Sequence, residues 1–174
     1  MLYFRGLIVY IKIKGSGGTC KSIPRVSRNF IFKYPPHKGI SIGKSCYFGP
    51  NLMIEVPYYA KLIIGNNVSF ASNIIISSEE CISIGNDCLF AEFVSIRDAE
   101  HSSEKKVLIR QQKLIYDDVI IENDVWIGRG ACVLMGCKIR QGSIIGANSL
   151  IKNKETNPYT IYVGIPAREI GIRQ

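Results

Sequence analysis

The chain of 174 residues is long enough for one domain with a sizeable hydrophobic core. Its net charge of +8 favours anionic ligands: phosphorylated cofactors, acidic glycans or a membrane face. Lys and Arg are scattered rather than set in one stripe and no nucleic-acid-binding signature occurs, so nucleic acid is not an expected partner.

The N-terminal stretch MLYFRGLIVYIKIK is apolar but carries Arg5, Lys12 and Lys14. It is too short to span a bilayer and lacks a small-residue cleavage site, so the expected location is the cytoplasm. Its mixed apolar and basic character is compatible with weak peripheral contact at the inner membrane face. Alternation over Val9–Lys14 suggests an edge strand or a cap over one end of the domain. GSGG at 15–18 reads as a flexible turn, and KSIPRVSRNFIFKYPPHKG as irregular chain or an imperfect first coil broken by Pro24, Pro35 and Pro36. Residues 1–39 are therefore assigned to an N-terminal cap or edge segment.

A six-residue period organises the rest. Ile121, Ile127, Val133, Ile139, Ile145 and Ile151 share one phase, which neither a helix of period 3.6 nor a strand of period 2 explains. Small residues recur four positions after each aliphatic one (Val125, Ala131, Cys137, Ser143, Ser149), and Gly and Asn supply bends. This is the signature of a β-solenoid. Three sixes per coil predict a triangular prism in which Ile42, Ile64, Ile84 and Ile121 stack in one column and Phe48, Phe70 and Phe90 in another. VPYYAK and SSEECIS add small bulges to the first two coils. The solenoid is assigned to residues 40–154, an inserted loop to 97–119 and a C-terminal tail to 155–174. Both terminal segments are expected to cap the prism ends.

Cys46, Cys88 and Cys137 fall in the small-residue slot, where cysteine serves as a compact hydrophobe. No CxxC pair suggests zinc, and reduced thiols are expected for all six cysteines. The polar insertion RDAEHSSEKKVLIRQQKLIYDD interrupts the ladder, and long loops in compact domains are usually functional. It holds His101. The other histidine, His37, lies among prolines and is read as structural.

VWIGRGACVLMGCKIRQGSIIGANSLI, followed by VGIPAREI, closely resembles the hexapeptide-repeat acyltransferases with left-handed parallel β-helices. The chain looks most like the small maltose/galactoside and bacterial polysaccharide O-acetyltransferases of that superfamily, over about residues 40–170. The resemblance implies an all-β prism with left-handed winding. It also implies a homotrimer with active sites between neighbouring prisms, acetyl-CoA as co-substrate, a sugar or glycan acceptor and no metal. By position in SIRDAEHSS, His101 is the implied general base. Asp98 or Glu100 is the candidate to orient its imidazole. Pantetheine would lie against Gly128–Arg129 and Gly146–Ala147, with Trp126 either touching ligand or packing at the corner. Lys152, Lys154 and Arg168 would meet CoA phosphates, with Arg129 as a further contact. The N-terminal helical module of the maltose group has no recognised counterpart, which favours the polysaccharide-modifying branch.

The chemistry suits the residue type. A sugar hydroxyl attacks a thioester only as its proton is removed, and a neutral imidazole can take that proton and pass it to the departing thiolate. Direct transfer needs no cysteine nucleophile. Two alternatives share the fold: an amino-sugar N-acyltransferase, with the same base and cofactor, and a non-catalytic scaffold subunit. A trimeric zinc hydrolase of similar shape would need three histidines per site, which two per chain cannot readily supply.

Overall fold

Apolar side chains every sixth residue force a short strand inward at each repeat, and the residues between strands turn the chain through a corner. In the computed structural model, which describes residues 1–174, the result is a parallel β-helix of six complete coils. Each coil gives one short strand to each of three walls. Wall A begins at Thr19–Cys20, wall B at Arg25–Val26 and wall C at Ile31–Phe32.

The interior columns follow the sixes. Ile42, Ile64, Ile84 and Ile121 are successive register partners on wall A. On wall B, Phe48 stacks on Phe70 at 5.5 Å and Phe70 on Phe90 at 4.7 Å, with the rings nearly parallel. All these side chains are buried, each stabilising the fold by roughly 1.5–3 kcal/mol relative to exposure.

Two corners are uniform. Four residues separate walls A and B, and walls B and C, in each of the six coils. Asn29, Asn51 and Asn73 occupy the left-handed region at the B–C corner, and their side-chain amides form a ladder with 2.9 Å steps. The third corner, between C and A, varies from three residues (78–80) to 21 (98–118). Both predicted bulges and the long insertion fall there.

The N-terminal reading needs correction. Residues 1–39 contain no edge strand over Val9–Lys14; Leu2–Gly15 form a helix, α1, laid across the open end of the prism. Gly6, Val9 and Ile13 lie at helical spacing and are buried on the first coil. A Cβ at Gly6 would come within 1.8 Å of the Pro24 carbonyl oxygen, so only glycine allows this approach. The fold is thus a β-helix with a helical cap rather than wholly β. The segment after α1 is a complete first coil, so the solenoid starts at Thr19 rather than at residue 40. Pro24 and Pro35–Pro36 sit in corners, where no ladder hydrogen bond is lost.

At the other end, Thr160–Val163 continue wall B in parallel and Arg168–Ile172 fold back antiparallel. Tyr162 is register partner to Ile145, so part of the 155–174 tail belongs to the solenoid core. No helix is long and apolar enough to cross a membrane.

Candidate active site

The insertion at the C–A corner is an antiparallel hairpin. Ala99–His101 pair with Leu114–Tyr116, opposing His101 to Leu114. Gln112 folds the tip, accepting from the Glu104 N–H at 2.7 Å and donating to the carbonyls of Glu104 and Val107. His101 is exposed on this hairpin, and its imidazole makes no hydrogen bond within the chain. His37 is the opposite case: Nδ1 accepts from the Gly39 N–H at 3.1 Å, and Nε2 lies 3.2 Å from the Val56 carbonyl. Both its nitrogens serve the backbone.

Neither candidate orienting acid faces His101. Asp98 is fully buried and points under the hairpin root. One carboxylate oxygen accepts from the Glu79 N–H at 2.6 Å; the other accepts from the Ser78 hydroxyl at 2.7 Å and the Glu80 N–H at 3.0 Å. It ties the insertion to the preceding coil. Glu100 forms an ion pair with Lys152, two coils further along the same edge. The two acids tie the arm to the prism from both sides, and neither makes a hydrogen bond to the imidazole.

The predicted cofactor residues divide into two groups. Lys152, Lys154 and Arg168 converge on a surface pocket of about 430 Å³ at the end of wall C. Lys154 lies over the Tyr162 ring at 4.9 Å, and Lys152 is shared with Glu100; Arg168 has no ion pair. Trp126, Gly128, Arg129 and Ala147 stand elsewhere, on wall B and the B–C corner. Trp126 is half exposed between Leu89 and Ile144. Gly128 is buried, and a Cβ there would reach the Ala147 nitrogen at 2.7 Å, so its smallness serves coil-to-coil stacking rather than a ligand. Lys152 and Lys154 follow the last strand of wall C, whereas Arg168 lines the same pocket from the strand that closes wall B, the wall that also carries Trp126.

One residue of this corner escaped the sequence reading. Phe93 adopts φ +62°, in the column that otherwise holds Asn29, Asn51, Asn73, Gly130 and Asn148. The signal was present: AEFVSI breaks the pattern of GPNLMI and ASNIII. Arg129 covers the Phe93 ring at 5.2 Å, which explains why both side chains are held at this corner.

All six cysteines are free. Burial pushes the thiols of Cys46, Cys88 and Cys137 up to about 11, which keeps them protonated and unreactive at neutral pH.

The family model for the bacterial transferase hexapeptide (six repeats) matches residues 118–153. A galactoside O-acetyltransferase of Lactococcus lactis is 33% identical over 125 residues, covering 68% of this chain and 58% of that protein. The putative lipopolysaccharide biosynthesis O-acetyl transferase WbbJ of Escherichia coli is 29% identical over 139 residues, covering 75% and 70%. The chain thus spans between 58% and 70% of the length of these two relatives. Among solved structures, AntD, an N-acyltransferase from Bacillus cereus in complex with dTDP and 3-hydroxybutyryl-CoA, superposes with a TM-score of 0.80. The match is 19% identical and covers 99% of this chain and 90% of AntD. The six-residue repeat, the parallel three-walled prism and these matches agree, and the chain belongs to the hexapeptide-repeat acyltransferase superfamily.

Proposed function

We propose that the chain is an acyl-CoA-dependent acyltransferase that moves an acetyl group from acetyl-CoA to a sugar hydroxyl of a bacterial polysaccharide or its precursor, in the cytoplasm. The observation that carries the reading is the braced hairpin. A flexible loop would not hold a base in place, whereas Asp98 below and Glu100–Lys152 beside it fix an arm that presents an unpartnered imidazole. On this arm His101 takes the acceptor hydroxyl proton as the oxygen attacks the thioester carbon. The tetrahedral intermediate collapses with loss of the CoA thiolate, which receives that proton. Attack is direct, consistent with buried, protonated thiols in the core.

Arg168 and the nearby lysines would meet CoA phosphates as point charges. Trp126 and the Arg129–Phe93 pair lie on a different wall from the arm, which supports a site completed by a neighbouring prism and hence a homotrimer. The column of exposed Leu89 and Trp126 with half-buried Ile144 gives wall B an apolar strip suited to that contact.

A second reading, N-acylation of an amino sugar, draws support from the similarity to AntD over nearly the whole chain. Its base logic is identical. The test is transfer from labelled acetyl-CoA to a panel of glycans and amino sugars, with products read by mass. Ester product that falls about 10²–10⁴-fold in His101→Ala supports the first reading. Amide product selects the second. Undiminished transfer by the variant refutes His101 as the base, and failure to bind acetyl-CoA moves the chain to the scaffold class.

A further inference from the structure

We infer that the α1 end of the prism is a docking surface for an anionic lipid bilayer. A surface helix on a water-soluble protein normally turns its polar face outward. Here α1 is apolar on its outward face as well as its inward one. Gly6, Val9 and Ile13 face the first coil, and at about 100° per residue Phe4, Leu7, Ile8 and Ile11 fall together on the opposite side. Phe4 is 70% exposed and Ile11 59%, with Tyr3 beside them at 64%. Cations flank this apolar stripe on both sides, Arg5 and Lys12 along one edge and Lys14 along the other. That is the side-chain order of a helix lying in a membrane interface, with apolar residues down and cations level with the headgroups.

The surroundings extend the same chemistry. A groove of about 830 Å³ runs beside the helix, with Phe30, Ile31 and Phe32 in its wall and Arg5, Lys12 and Lys33 at its rim. The charge distribution is one-sided. Residues 1–54 contain nine of the 22 Lys and Arg residues and none of the 14 Asp and Glu residues, leaving 13 cations against 14 anions in the remaining 120. The whole excess of positive charge therefore resides in α1 and the first two coils.

This distribution selects the occupant. A second copy docked face to face would bring two strongly basic surfaces together, with like charges opposed and only Glu55, already paired with Lys33, as a nearby counter-charge. Nucleic acid would supply the charge but leave the stripe of Phe4, Leu7, Ile8 and Ile11 uncovered. An anionic bilayer supplies both phosphate and an apolar layer. The proposal is independent of the catalytic reading and is tested without an activity assay.

The experiment is co-sedimentation of the full chain with vesicles of phosphatidylglycerol and phosphatidylcholine, against phosphatidylcholine alone, at low and high salt. The expected result is binding to the anionic vesicles that weakens with salt and falls at least about tenfold in Phe4→Ser with Ile11→Ser. Both side chains point away from the core, so the variant should keep its unfolding midpoint. Arg5→Glu with Lys12→Glu leaves the apolar stripe intact and should lose binding by at least about tenfold as well. This second variant keeps the proposal testable if the first is unstable. Absence of binding, or equal binding to neutral vesicles in high salt, overturns the proposal. So does a larger oligomer in sedimentation without lipid that the Phe4→Ser, Ile11→Ser variant abolishes, which would assign the face to a second copy.

Discussion

Replacing Asp98 by Asn separates bracing from catalysis. The carboxylate accepts three hydrogen bonds in a fully buried setting, at 2.6, 2.7 and 3.0 Å. An amide keeps one oxygen and turns an NH₂ toward donors, so one or two of the three are lost. Hydrogen bonds to a charged group contribute about 1.5–3 kcal/mol each, and a donor left unpaired in the interior adds to the loss. The expected destabilisation is about 2–4 kcal/mol, or roughly 5–15 °C in melting temperature for a chain of this size. Calorimetry of the variant gives the number. Transfer should fall as well, because the hairpin root loosens, and it should recover in part at lower temperature as the arm reorders. A melting temperature unchanged within a degree or so, with transfer as poor as in His101→Ala, would refute bracing and make Asp98 a direct partner of the imidazole.

Phe70→Ala removes the middle ring of the aromatic column and should cost about 3–5 kcal/mol in denaturant unfolding, since Phe48 and Phe90 cannot close the gap; a loss below about 1 kcal/mol would mean the column relaxes freely. Phe93→Asn removes an aromatic from the left-handed region and restores the corner residue of the neighbouring coils, so it should raise stability by about 1 kcal/mol, read as a higher melting temperature. In alkylation of the folded protein read by mass, Cys132 should react first and Cys81, its thiol pushed up by burial, more slowly. Label on Cys46, Cys88 or Cys137 before unfolding would contradict their burial.

Much of the fold could be read from spacing because a solenoid writes its geometry into a fixed period. The columns led by Ile42 and Phe48 need no knowledge of distant contacts beyond the next coil. What escaped has physical reasons. Ile11-Lys12-Ile13-Lys14 alternates like a strand, yet the end of a prism offers a surface to cover, and Val9 and Ile13 at helical spacing cover it. The first coil was obscured by Pro24 and Pro35–Pro36, which look like breakers until each is seen to occupy a corner. At the site, the exposed histidine on an arm was legible from the surplus residues alone. The directions of Asp98 and Glu100 were not, because Asp98 sits at the junction between the strands Ser95–Arg97 and Ala99–His101, and only the three-dimensional edge shows what lies beneath. The acid-free run to Glu55 could be read from sequence, but its meaning depended on finding α1 at the same end.

The unequal corners bear on how such a protein can change. Twelve four-residue corners hold the register, and adding a residue at any of them would displace the next strand's apolar side chain from the interior. The third edge carries no such constraint, as segments of three to 21 residues already occur there without disturbing the walls. Lengthening, shortening or exchanging the arm beyond Asp98 therefore leaves the register of the walls intact and acts directly on what the arm touches. Diversity among acceptors can accumulate along that single seam, and a graft intended to redirect specificity belongs there.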